Sequence, residues 1–254
     1  FPDQALVDEC LEIAKETGRS YKPFSYYGAA DAEYVIVAMG SVTECAEEVV
    51  EHLVARGEKV GVVKVHLYRP FDTKKFAAAV PATCKRIAVL DRTIEQGSIY
   101  EPLCLDVQSV YYGKANAPLI VGGRYGLSSK DTTPDLINAV FCNLKAEQPK
   151  DHFVIGINDD IDHTSLEVTE TIDVCDPTTT ELLFFGLGSD GTVGACKNIS
   201  TIVGDYTEYY SQSYAAYDSK KSGGSTRLHL RFSKKPIRST YLVNKPHFVS
   251  CSLD

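Results

Sequence analysis

No two of the eight cysteines stand close enough to form a C-x-x-C pair; they are dispersed at 10, 45, 84, 104, 142, 175, 196 and 251. That spacing excludes the simple zinc-ribbon and iron–sulfur patterns, which need ligands in short-spaced pairs. The six histidines are scattered too, and none makes an H-x-x-x-H pair. No apolar run approaches the roughly 18 residues that span a bilayer, and no secretory signal is visible. Positive charge is in short supply: 26 Lys and Arg face 34 Asp and Glu, a net charge of −8 that argues against general nucleic-acid binding. The cysteines are therefore expected to be reduced and mostly buried in an intracellular protein. Cys45, Cys104 and Cys142 fall on helix faces and Cys251 in a strand.

What is present suits a globular protein. At 254 residues, 44% hydrophobic and 24% charged, the chain can build one large domain or two ordinary ones. It starts at Phe1 rather than Met, as a processed product or an excised piece would.

Residues 4–17 place Leu6, Cys10, Ile13 and Ala14 on one helical face, with Gly18 as the stop. A Pro- and Tyr-containing linker follows through Gly28. Apolar strands then alternate with helices. Strands are expected at 34–39, 60–67, 86–91 and 119–121, and helices at 42–56, 73–80, 102–112 and 135–145. Ser41-Val-Thr-Glu44 reads as a capping box, Asp72 as an N-cap, and Pro134 occupies the favoured first helical position. This alternation predicts a parallel, doubly wound α/β sheet over residues 24–148. Residues 149–179 read as an extended connector. Asp159-Asp-Ile-Asp162 lacks the glycine turn and distal Glu of an EF-hand, so a calcium site is not expected.

A second unit opens at 180. The apolar run Leu182-Leu-Phe-Phe feeds directly into Gly186-Leu-Gly-Ser-Asp-Gly-Thr-Val-Gly194, followed by a helical pattern. Gly186, Gly188 and Gly191 have G-x-G-x-x-G spacing, and Gly194 follows one turn later. Such a strand–turn–helix leaves N–H groups at a helix N-terminus uncrowded by any Cβ, which suits a phosphate or diphosphate. The opposing reading is a tight turn that only packs. Two later strands are expected at 226–232 and 247–253. A Rossmann-type unit of this length is short, so an incomplete Rossmann-like α/β domain over 180–254 is expected.

Charge supports the phosphate reading. Between 219 and 253 lie Lys220, Lys221, Arg227, Arg231, Lys234, Lys235, Arg238 and Lys245, and no acid. Arg227, Arg231 and Lys234 read as outward-facing strand residues. Lys220 and Lys221 sit in a second loop, Asp218-Ser-Lys-Lys-Ser-Gly-Gly224. Coenzyme A, with a diphosphate and a separate 3′-phosphate, fits this charge better than NAD. Asp205 and Glu208 lie near the distance at which NAD sites hold a ribose, but they follow a helix rather than end a strand. NAD remains the weaker alternative.

With both units laid out, the chain resembles an internal segment of the pyruvate:ferredoxin oxidoreductases. The resemblance rests on Asp31-Ala-Glu-Tyr-Val-Ile-Val-Ala-Met-Gly-Ser41, Val65-His-Leu-Tyr-Arg-Pro-Phe71, Val89-Leu-Asp-Arg-Thr93, Gly123-Arg-Tyr-Gly-Leu127, the loop 186–194 and the loop 218–224. It implies a transketolase C-terminal-like domain at 24–148 and the start of a coenzyme A-binding domain at 180–254. The implied coenzyme A residues are Gly186, Gly188, Ser189, Asp190, Gly191, Thr192, Val193, Gly194 and Lys197, with Lys220, Lys221 and Ser222. Arg69 and Arg124 follow strands, and the resemblance implies domain contacts for them rather than chemistry. No catalytic residue is assigned.

The resemblance further implies a parent that converts pyruvate and coenzyme A to acetyl-CoA and CO2. It would use thiamine diphosphate, magnesium and iron–sulfur clusters, with ferredoxin, flavodoxin or a fused NADP reductase as acceptor. The fused enzymes share these domains. No Gly-Asp-Gly…Asn site for thiamine diphosphate is present, so those cofactors are expected elsewhere in the parent and this piece alone is expected to be inactive. Partners are the remaining parent domains, in a homodimer, without nucleic acid or membrane. The expected compartment is the cytoplasm or the matrix of a mitochondrion-related organelle. The competing readings are a free-standing NAD(P)- or FAD-dependent Rossmann oxidoreductase and a non-catalytic interaction module.

Overall fold

The computed structural model describes residues 4–18, 22–217 and 224–252. The chain divides into two compact units, Phe1–Val174 and Cys175–Asp254, and each is described by itself.

In the first unit the valine-rich segments form strands because they are apolar on both faces, and helices cover both faces. The strands are β1 (Phe24–Gly28), β2 (Tyr34–Met39), β3 (Val60–Val65), β4 (Arg86–Asp91), β5 (Leu119–Arg124) and β6 (Phe153–Val154), in the order β1-β3-β2-β4-β5-β6. β2, β3, β4, β5 and β6 run parallel, whereas β1 pairs antiparallel with β3. The linker expected through Gly28 thus supplies an edge strand; its Phe24 side chain is buried against Phe71 and Phe76, with ring centroids 5.1 and 5.3 Å away. Val35, Ile36, Val37, Val62, Val63, Ile87 and Val89 are all fully buried. Each such side chain contributes about 1.5–3 kcal/mol over leaving it in water.

The helices are α1 (Gln4–Glu16), α2 (Val42–Ala55), α3 (Thr73–Ala79), α4 (Pro102–Tyr111) and α5 (Pro134–Lys145). Ile13 of α1 is 63% exposed, and the side chains of Leu6, Cys10 and Ala14 lie outside the described residues. The Asp72 cap forms as expected, accepting the N–H groups of Lys74 and Lys75 at 3.0 Å. The capping box at α2 does not: Ser41 sits in helical backbone with no side-chain cap, and Glu44 lies 3.5 Å from Lys64 instead. No disulfide joins the described cysteines, and Cys45, Cys104 and Cys196 are buried.

The second unit carries β7 (Thr180–Leu187), α6 (Thr192–Tyr206), β8 (Tyr210–Tyr217), β9 (Ser225–Ser233) and β10 (Phe248–Cys251), with strand order β10-β7-β9-β8. This sheet is mixed: β10 is parallel to β7, while β9 is antiparallel to both β7 and β8. α6 covers one face, packing Val193, Cys196 and Ile199 against Leu182, Phe184, Leu228 and Leu230. The polar run 210–217 had no expected element, yet it forms β8, because β9 offers it a full register of eight partners.

Candidate functional site

The glycine loop joins β7 to α6 as the spacing predicted. Gly191 is the helix N-cap at φ +89°, and Ser189, two residues before it, has φ +73°. A side chain at the first position would be strained, which is the physical reason for glycine there. Gly186 is required by space rather than by torsion: a Cβ on it would lie 2.5 Å from Thr192 Oγ1 and 2.7 Å from Asp190 Oδ2. A Cβ on Gly194 would meet nothing within 4 Å, so the outer face of the first helical turn is open.

Asp190 turns its carboxylate back into the loop. Its Oδ2 accepts the Leu187 N–H and its Oδ1 the Thr192 N–H, both at 2.8 Å. The Ser252 hydroxyl donates to Oδ2 at 2.8 Å. These donors hold the carboxyl well below the usual range, with the Thr192 N–H the leading cause. Gly188 N–H donates to Gly224 O at 2.9 Å. The cradle of bare amides expected from the sequence is therefore partly filled by the protein's own acceptors at Leu187, Gly188, Asp190 and Thr192, the Asp190 N–H donating to Leu187 O at 3.2 Å. Val193 and Gly194 remain ahead of the first intrahelical bond, Ala195 N–H to Gly191 O at 3.0 Å.

Residues 186–194 are thus brought together as one turn. Val193 turns toward the sheet, and Lys197 is exposed on the same helix. Lys220, Lys221 and Ser222 lie outside the described residues. Sequence reasoning missed Ser252 and Thr226, because only strand pairing brings them to the loop; Gly224 belongs to the second glycine loop named above.

The expectation that Arg231 faces outward is overturned. It is 3% exposed, its Nε lies 2.7 Å from Glu181 Oε1, and its Nη1 donates to the carbonyls of Ser239 and Tyr241 at 3.1 and 2.7 Å. A segment with no periodic signal, residues 239–243, covers that polar face. Arg227 and Lys234 are exposed as expected.

In the first unit, Arg69 pairs with Asp106 at 2.7 Å and stacks over Tyr68, while Arg124 Nε lies 2.6 Å from the buried Glu101. Both are held by acids of their own unit. At the carboxyl end of β4, Asp91 accepts the Leu103 and Cys104 N–H groups at 3.2 Å each; burial pushes its carboxyl up to about 6 despite them. Asp159 accepts the N–H groups of Ile161, Asp162 and Thr164 at 3.1 Å, which closes an internal turn. Among the described residues no three His, Cys, Asp or Glu side chains could hold a metal ion, and no helix is long and apolar enough to cross a membrane. A cavity of about 830 Å3, lined by Lys22, Phe24, Tyr26, Lys75 and Val80 among others, belongs to the first unit.

The first unit is thus an α/β sheet with five of its six strands parallel, and the second opens with a strand, a glycine turn and a helix. The family profile for pyruvate:ferredoxin oxidoreductase core domain II matches residues 32–137, and that for pyruvate ferredoxin/flavodoxin oxidoreductase matches residues 181–252. Over 242 residues the chain is 55% identical to a pyruvate-flavodoxin oxidoreductase of Enterobacter agglomerans, covering 95% of this chain and 21% of that protein. Against a pyruvate:ferredoxin oxidoreductase of Moorella thermoacetica it is 55% identical over 247 residues, 97% of this chain and 21% of the other. A solved 2-oxoglutarate:ferredoxin oxidoreductase from Magnetococcus marinus aligns with 54% of this chain and 23% of its own at 23% identity, with a TM-score of 0.38, too slight a likeness to bear on this chain. The chain belongs to the pyruvate:ferredoxin/flavodoxin oxidoreductase family, and it spans 21% of the length of these curated relatives.

Proposed function

We propose that this chain supplies the transketolase C-terminal-like domain (24–148) and the opening of the coenzyme A-binding domain (180–254) of a pyruvate:ferredoxin or flavodoxin oxidoreductase. In that enzyme pyruvate and coenzyme A give acetyl-CoA and CO2, and electrons pass to ferredoxin, flavodoxin or a fused reductase, within a homodimer. We infer that thiamine diphosphate, magnesium and the iron–sulfur clusters are held by other parts of the parent, a reading supported by the lack of a Gly-Asp-Gly…Asn motif and of close-spaced cysteines in this sequence. No step through those groups is assigned to this chain, which is inactive alone.

The contribution of residues 180–252 is to receive the diphosphate of coenzyme A at the loop 186–194. The observation that carries this reading is Gly191 at φ +89°, opening a 15-residue helix whose outer first turn is clear of side chains. A helix N-terminus presents N–H groups and a partial positive charge to an anion. Lys197, Lys220 and Lys221 complete the reading on the side of charge, and Ser222 as a hydroxyl donor.

Calorimetric titration with coenzyme A and with NADPH separates this from the alternatives. Coenzyme A is expected to bind and NADPH to bind more weakly. Preference for NADPH would make the unit a nicotinamide enzyme, and silence with both would make the loop a packing device. Gly191→Val is expected to abolish coenzyme A binding, since its β-branched side chain cannot hold this torsion without strain. Unchanged affinity would remove the loop from the account.

A further inference from the structure

We propose that Thr226 is a further phosphate-binding residue of this loop, and that Asp190 holds the phosphate's place until the ligand arrives; this rests on the coenzyme A reading above. Thr226 lies on β9 directly opposite Gly186 of β7. It is 5% exposed, and its hydroxyl oxygen is buried without a hydrogen-bond partner. Buried hydroxyls are nearly always bonded, so an orphan on this wall marks a missing partner.

Directly opposed residues in an antiparallel pair share one face, with Cβ positions about 4.5–5.5 Å apart. On that face, the space over Gly186 is occupied by Thr192 Oγ1 and Asp190 Oδ2, at 2.5 and 2.7 Å from where a Cβ would stand. Thr226 therefore projects into the volume beneath the helix start, the volume already holding an anionic group. That group is the protein's own. Asp190 accepts the N–H groups of Leu187 and Thr192 and the Ser252 hydroxyl, a donor set that a phosphate oxygen would use in the same way.

Asp190 is an exposed residue, so its side chain can rotate into water without leaving a buried charge behind. Its departure frees two amides and a hydroxyl at once, and a phosphate larger than a carboxylate reaches Thr226. The ligand class is the phosphate or diphosphate group of a nucleotide. The arrangement is a self-occupied site in which ligand and Asp190 compete.

The test is calorimetry on the full chain with inorganic pyrophosphate and with coenzyme A, for wild type, Asp190→Asn and Thr226→Val. Asn keeps an acceptor for the loop but loses the charge, so Asp190→Asn is expected to bind pyrophosphate about tenfold tighter, the order of one like-charge repulsion in a water-facing site. Thr226→Val is expected to bind both ligands about three- to tenfold more weakly while its melting temperature stays equal or rises, since an unpartnered hydroxyl has been removed. A structural role alone would lower the melting temperature instead. Equal or weaker pyrophosphate binding by Asp190→Asn, or unchanged affinity in Thr226→Val, overturns this inference while leaving wild-type coenzyme A binding intact. Absence of binding in wild type and in Asp190→Asn, with both ligands, overturns the coenzyme A reading itself.

Discussion

Replacing Gly123 by alanine tests the packing of the first unit at its tightest point. Gly123 lies on β5 opposite Phe153 of β6, and the Phe153 ring is fully buried. A Cβ on Gly123 would stand 2.1 Å from Phe153 Cε2, 2.2 Å from Cζ and 2.7 Å from Cδ2. Those distances are far inside contact, so the ring or the strand must move. Overpacking of this kind costs typically 1–3 kcal/mol, and the full upper value applies because both backbones are fixed in the sheet. Alanine recovers about 0.4–1 kcal/mol by narrowing the unfolded ensemble. The net loss is about 2 kcal/mol, or about 4–8 °C in melting temperature for a unit of this size. Calorimetric melting of wild type, Gly123→Ala, Phe153→Leu and the double variant measures it. Shrinking the ring opens the space the new methyl needs, so the two changes should cost less together than their sum by about 1 kcal/mol or more. A melting temperature within a degree of wild type, or strict additivity, would refute the argument that ring and glycine share one volume.

Asp91 should make stability depend on pH in the direction opposite to most carboxylates. Its folded value is raised to about 6 from an ordinary 3.8, so the native state binds the extra proton and gains stability as pH falls through that window. Relative to Asp91→Asn, wild type is expected to gain about 2 kcal/mol between pH 7 and pH 4.5; urea midpoints at the two pH values check this, and a pH-independent difference would contradict it. Arg231→Met should destabilise the second unit by about 3–5 kcal/mol, because Glu181, at 7% exposure, is left charged without its partner. Adding Glu181→Leu should restore much of the loss in the same denaturation assay; no recovery would show that the carbonyls of Ser239 and Tyr241, not the ion pair, set the cost.

The first unit was legible because its signals are local. Tyr34–Met39 and Arg86–Asp91 are uninterrupted apolar runs, and both strands form at the expected residues. The Asp72 cap needs only its own next three residues to form. Phe24–Gly28 was missed because an edge strand with one solvated face carries no continuous apolar run, and Pro23 and two tyrosines read as a linker. The same distinction divides the loop. The turn at Gly186, Gly188 and Gly191 is written in spacing, and it folds as such.

What fills that turn is written in pairing. Thr226 reaches the loop only through its register with Gly186, and Ser252 only because β10 lies beside β7. In the strand expected at 226–232, Leu228 and Leu230 lie in the core, yet Arg231, expected to face solvent, is buried as well. Period two identifies two faces, not which of them is wet. Here the second face is covered by an aperiodic segment whose Tyr241 and Val243 are buried, and whose carbonyl groups require a buried donor. A lone strand pattern therefore fixes which residues share a face with the glycine loop only once its antiparallel partner is known. That is why the amides looked bare in the sequence, while the folded chain answers three of them with Asp190 and Gly224.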